Sequence, residues 1–257
     1  MKKEAETVDL IKIAIGDYPR YEELLLRKDK LEKEAFFWYE EYIRVFGKYL
    51  VDVFEAKVEC VRVKKLIALA QAEVNRGLTP DMNEISSRVR EQMLSYYNEL
   101  ESMIKEHEDS KKAQRISAHE AVAIKKLYRE IAKLIHPDLN PETAKDEALQ
   151  DLWNRVVIAY KCNHLVELEE LRVLVNKVLE DKGIDVSKAV IPNIQEKILE
   201  LEEKINEIIT TDPYNYKFLL EDNEETEQRI KDLEDEKNVY IKYREELEET
   251  LRMLTGE

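Results

Sequence analysis

Glycine and proline are scarce in this chain, 5 and 6 in 257 residues, against 38% charged residues. A sheet protein spends such residues at every strand connection, so the shortage excludes a turn-rich β architecture and predicts an all-α fold built on long helices. Cysteine is scarcer. Cys60 and Cys162 lie far apart and neither belongs to a CxxC pair, which excludes a zinc centre and a thiol-disulfide motif. Each falls on or beside an apolar stripe, so both are expected as small buried hydrophobes. Long apolar runs are missing altogether: no stretch of about 18 apolar residues occurs, and MKKEAETVDLIKIAIGDY has no run of signal-peptide length. A soluble, cytoplasmic protein without membrane association is the expectation. Positive charge is also in deficit. A formal net charge of -15 argues against nucleic-acid binding, because a phosphate-binding surface needs a basic face to displace counterions.

Catalytic signatures are equally sparse. His107, His119 and His164 have no partner at metal-ligand spacing, and His119-Glu120 lacks a second histidine four residues on. There is no glycine-rich phosphate loop, nucleophile elbow or kinase sequence. Carboxylates abound, but on exposed helices they pair with Lys and Arg one turn away rather than forming an acid-base site. The chain is therefore expected to be no enzyme, with no metal and no cofactor.

What is present is helical periodicity. From Tyr21 to Arg76 there is no proline and a single glycine, Gly47, while apolar residues recur at three-and-four spacing from Leu24 through Leu31, Ala35, Trp38, Val53 and Cys60 to Ala70 and Val74. The broader run EAFFWYEEY at 34–42 predicts contact with more than one neighbour. Gly77-Leu78-Thr79-Pro80-Asp81 has the punctuation of a stop and restart, and a second seam follows at Ile85, Val89, Met93, Tyr96, Leu100 and Met103, so residues 1–110 are expected to form a long antiparallel hairpin. A matching pattern closes the chain. Ile194, Ile198, Leu201, Ile205 and Ile208 precede Thr211-Asp212-Pro213, and Ile230, Leu233, Tyr240, Leu247, Leu251 and Leu254 follow it, which predicts a second hairpin or coiled coil over 184–257 with Pro213 in the first turn of its last helix. The same seams can also pair two copies of the chain as a homodimer.

Residues 111–183 read differently. HEDSKKAQRI at 107–116 is polar and weakly periodic, as a loop would be, and Ser117-Ala118-His119-Glu120 then fits a capping box that opens a helix running to Ile135. Asn140-Pro141 and Thr143-Ala144-Lys145-Asp146 are competing start signals for the next helix, which carries Leu149, Leu152, Trp153, Val156 and Tyr160 on one face. On the earlier helix, Ile124, Leu127, Ile131, Leu134 and Ile135 form one stripe, and Lys125, Lys126, Arg129 and Lys133 gather on the opposite side. On so acidic a chain, four cations on one face suggest a docking surface for an acidic partner, although a plain solvated face has the same pattern. Pro137 disfavours the helical region for His136 and lacks an N–H, so the helix must end there with an imidazole and a carboxylate, His136 and Asp138, flanking the ring at its tip.

The stretch IKKLYREIAKLIHPDLNP resembles the second helix and signature loop of the J-domain family, the Hsp70 co-chaperones, and Trp153-x-x-Val156-x-x-Ala159-Tyr160 is similar to that family's next helix. The resemblance covers Ile124 to about Glu170. It implies a J-domain-like helical hairpin with Leu127, Ile131, Leu134, Trp153, Val156 and Tyr160 in its core. It further implies a DnaK-like Hsp70 as partner, bound through Lys125, Lys126, Arg129, Lys133, His136, Pro137 and Asp138, with the tripeptide triggering ATP hydrolysis. The family's short first helix has no counterpart, Ile135 stands where Tyr is usual, and Glu130 replaces a common basic residue. KCNHLVELEELRVLV lacks the usual Asp-Pro turn, leaving the third helix free to continue past Tyr160. Without a Gly/Phe-rich linker or zinc centre, the resemblance implies a specialised member whose helical arms hold a client or an anchor. A scaffolding protein that kept the fold and lost the coupling is the alternative.

Overall fold

The computed structural model describes residues 2–112, 116–141, 143–184 and 193–256, with side chains from residue 17 on, Lys112 excepted. The chain is all-α: among the described residues there are helices and turns and no strand. The unbroken seam becomes one helix, α1 (Lys2–Val74), which begins well before Tyr21 and runs through Pro19. After the Gly77 turn, where φ is 75°, come α2 (Met82–Gln92) and α3 (Leu94–Lys112), followed by α4 (Ala118–Ile135), a 3-10 turn (Thr143–Lys145), α5 (Glu147–Lys161) and α6 (Leu165–Lys182). The chain ends with α7 (Ile194–Thr210), α8 (Tyr216–Glu221) and α9 (Asn223–Thr255).

These elements form two compact units: Met1–Phe37 with Gln114–Asn215, and Trp38–Ala113 with Tyr216–Glu257. The chain therefore enters each unit twice, whereas the sequence reading divides it into three consecutive segments. In the second unit Glu73 accepts from the Asp81 amide, Lys65 donates to Gln92, and Arg44 donates to the Ser110 carbonyl. As numbers fall along α1 they rise along α2 and α3, so the two run antiparallel. Val58, Leu66 and Ala70 close over Ile85, Val89 and Met93, and Phe46 and Val53 over Leu233 of α9. The broad stretch at 34–42 does meet two neighbours, since the Tyr39 hydroxyl donates to Glu106 at 2.7 Å and Tyr42 stacks on Tyr216 at 4.1 Å.

The polar stretch from His107 is helical as far as Lys112 rather than a loop; residues 113–115 of that expectation lie outside the described residues. The reason is local. His107 is buried and its Nδ1–H donates to the Ile43 carbonyl at 2.9 Å, while the Ser110 hydroxyl donates to the His107 carbonyl. The ring lies so close to α1 that a Cβ on Gly47 would sit 2.4 Å from Nδ1, which explains the one glycine inside the long seam. Three further expectations differ. Pro213 occupies a turn, and helix restarts at Tyr216 and again after Asp222, whose carboxylate accepts from the Glu224 and Glu225 amides. α7 and α9 belong to different units, α7 packing with Tyr21 and Leu24. Cys60 is buried with its thiol against the Tyr240 carbonyl, but Cys162, at the end of α5, is exposed.

Candidate functional site

α4 begins as its sequence demands. The Ser117 hydroxyl accepts from the Glu120 amide at 3.2 Å and the Glu120 carboxylate accepts from the Ser117 amide at 2.9 Å, a reciprocal cap. It ends at His136, whose backbone is extended, with φ −61° and ψ 125°, as a residue before proline must be. Its carbonyl accepts the amides of Leu139 and Asn140, and the Asn140 side chain donates back to the Lys133 carbonyl. Of the two competing starts for the next helix, the second wins: Asp146 caps α5 by accepting from the Leu149 amide at 3.1 Å.

α4 and α5 are antiparallel, with Tyr128 stacked on Tyr160 at 3.9 Å near one end and His136 against Trp153 at 4.5 Å near the other. Leu127, Ile131, Trp153, Val156 and Tyr160 are buried in one cluster and Leu134 packs at its edge. α5 stops at Cys162 instead of continuing, because Asn163 takes a left-handed conformation (φ 59°) that turns the chain into α6. α6 then adds Leu168, Leu171, Val175 and Leu179 to the same core. Arg172 of α6 pairs with Glu130 at 3.1 Å, so the acidic departure in the basic helix has a partner.

The other side of the α4–α5 pair is occupied by α1. Glu22, Leu26, Asp29 and Lys33 share one helical face, and each has a partner there. Glu22 pairs with Lys133 at 2.8 Å, and Leu26 packs on the core. Asp29 accepts from the Tyr128 hydroxyl at 2.7 Å, and Lys33 donates to the Tyr160 carbonyl at 2.7 Å with its ammonium over the Tyr160 ring. A neighbouring face of the same helix, with Tyr21, Leu24, Leu25 and Leu31, packs with Leu139 of the turn and with Ile194, Leu201 and Ile205 of α7.

Under this cover the tripeptide is not uniformly presented. Asp138 is exposed and Pro137 half-buried, but His136 is only 5% exposed, contrary to the expectation of an imidazole held out at the helix tip. Its Nδ1 accepts the Asp138 amide at 3.0 Å, which assigns the proton to Nε2, and Nε2 lies 3.7 Å from Asp29. Burial pulls the imidazole pKa down to about 4, with the Asp138 charge opposing and Lys28 reinforcing that shift. Burial likewise raises the Asp29 carboxyl, against the opposing effect of the Tyr128 hydrogen bond and Lys28. His136 also lines a cleft of about 270 Å³ whose walls include Lys28, Glu32, Val157 and Lys161.

The basic face divides in the same way. Lys126 and Arg129 are exposed, Lys125 is half-buried with its pKa lowered by burial and by Arg129 and Lys30, and Lys133 is engaged by Glu22. Lys33 is lowered to about 8 by burial. Sequence reasoning missed Glu22, Asp29, Lys33 and Tyr128; within residues 22–33 the trace of a two-sided helix is the consecutive run Leu24-Leu25-Leu26, too wide for a single seam. Among the described residues no group of three or more His, Cys, Asp or Glu is placed to hold a metal ion, and no helix is long and apolar enough to cross a membrane. No family model, curated protein or solved structure matches this chain.

Proposed function

We propose that the chain is a J-domain-like co-chaperone: α4, the His136-Pro137-Asp138 turn and α5 engage an Hsp70 and stimulate its ATPase, and the remaining helices hold a client or an anchor. The observation that carries this reading is the turn itself, at the end of an antiparallel helix pair with Asp138, Lys126 and Arg129 open to a partner. Such a partner is acidic where it meets the helix, so the cations speed encounter and orient it more than they tighten the complex. The protein contributes no reacting group; it acts on another protein's catalytic cycle, in the cytoplasm and with no nucleic acid involved.

One observation favours a second reading. His136 is buried against Trp153 and its ring caps the Asp138 amide, as a structural residue would. On that reading the chain is a helical scaffold in which the turn serves folding alone. Single-turnover ATP hydrolysis by an Hsp70, with wild type and with Asp138→Asn, separates the two. Stimulation that disappears in the variant supports the co-chaperone; no stimulation and no binding by the folded protein supports the scaffold. Asp138 is the better control because it is exposed, and its loss leaves the core intact.

A further inference from the structure

We infer that residues 22–33 of α1 are a built-in occupant of the partner-binding face, which a partner must displace to reach His136; this rests on the co-chaperone reading above. Four contacts on one face of α1 make the case. Glu22 engages Lys133, Leu26 covers apolar surface, Asp29 receives the Tyr128 hydroxyl and faces Nε2 of His136, and Lys33 closes on Tyr160. Glu22 offers Lys133 the carboxylate expected of an acidic partner, and Asp29 offers a second acceptor to the Tyr128 hydroxyl and the His136 ring.

The reach of the contacts strengthens the argument. Glu22 meets Lys133 while Asp29 meets both Tyr128 and His136, so the segment lies across α4 from Tyr128 to its end. Lys126, Arg129 and Asp138 stay exposed at its margin. A partner therefore has a first foothold without any rearrangement, and the histidine becomes reachable only after the α1 segment yields.

Binding to a fraction of open molecules weakens apparent affinity by that fraction, so releasing the segment raises activity at low concentration by the same factor. The releasing variant is Glu22→Lys/Asp29→Lys, which sets a cation against Lys133 and removes the acceptor of the Tyr128 hydroxyl; Glu22→Lys alone is the milder companion should the double variant lose helicity. Opening is read without any partner from the rate at which diethyl pyrocarbonate modifies His136, with the exposed His119 and His164 as internal standards. Wild type should react slowly at His136 and the double variant about tenfold faster or more. Stimulation of Hsp70 ATP hydrolysis at subsaturating concentration should rise by a similar factor and vanish on adding Asp138→Asn.

Wild-type His136 reacting as fast as His119 would overturn the cover. So would an opened variant that stimulates no better than an active wild type. An opened variant and a wild type that both fail to stimulate or bind would instead overturn the co-chaperone reading, and the inference with it.

Discussion

His136 joins a turn, an aromatic core and a carboxylate in a single side chain. Replacing it with alanine strips the cap from the Asp138 amide and leaves a void beside Trp153, so unfolding free energy in urea should drop by about 2 kcal/mol. The same ring makes stability depend on pH. Its folded pKa of about 4 lies below the ordinary 6.5, so the unfolded chain binds the extra proton between those values. The contribution is fully present above pH 6.5 and is lost as pH falls toward 4, with an upper limit on the order of 3 kcal/mol. Asp29 acts with the opposite sign: its raised pKa lets the folded state hold the extra proton between 3.8 and its own value, so its contribution grows as pH falls through that window and blunts the loss at the acid end. Denaturation at pH 7.5, 6 and 5 should give a falling stability whose slope flattens in His136→Asn. None of this is legible in the sequence. A histidine before a proline predicts an ended helix, and that holds; it carries no sign that an aspartate 107 positions earlier lies beside it.

Helices, by contrast, announce themselves. The Ser117 capping box, the stop at Ile135 and the stripe Ile124, Leu127, Ile131, Ile135 follow from residue types and the helical repeat alone, whereas the choice of Asp146 over Asn140-Pro141 as the next start does not. What fails is a judgement that turns on one particular distant neighbour. His107 to Lys112 looks like a loop because its apolar content is low, yet it folds onto α1 through one buried imidazole. That contact makes a prediction with an inverted sign. Glycine to alanine inside a helix ordinarily stabilises by about 1 kcal/mol, but a Cβ at Gly47 meets the His107 ring at 2.4 Å. Gly47→Ala should therefore destabilise by roughly 1–3 kcal/mol, and pairing it with His107→Ala should cost less than the two single changes summed. A double-mutant cycle by thermal melting measures that coupling.

At the scale of the whole molecule, each unit carries one tryptophan: Trp153 the first, Trp38 the second. Single-tryptophan versions made with Phe substitutions should follow the two units separately. His136→Ala should lower the midpoint seen by Trp153, and Gly47→Ala the one seen by Trp38; midpoints that always shift together would mean a single cooperative transition. The bond between α1 and the α4–α5 face has a consequence of its own. Glu22 and Asp29 are carried on the same chain as Lys133 and His136, so they hold that face at an effective concentration fixed by the fold. Dilution cannot loosen such a competitor, and only the local abundance of the rival can overcome it. The fraction of chains with that face open should then be the same at every dilution, which an interface between two copies of the chain would not show.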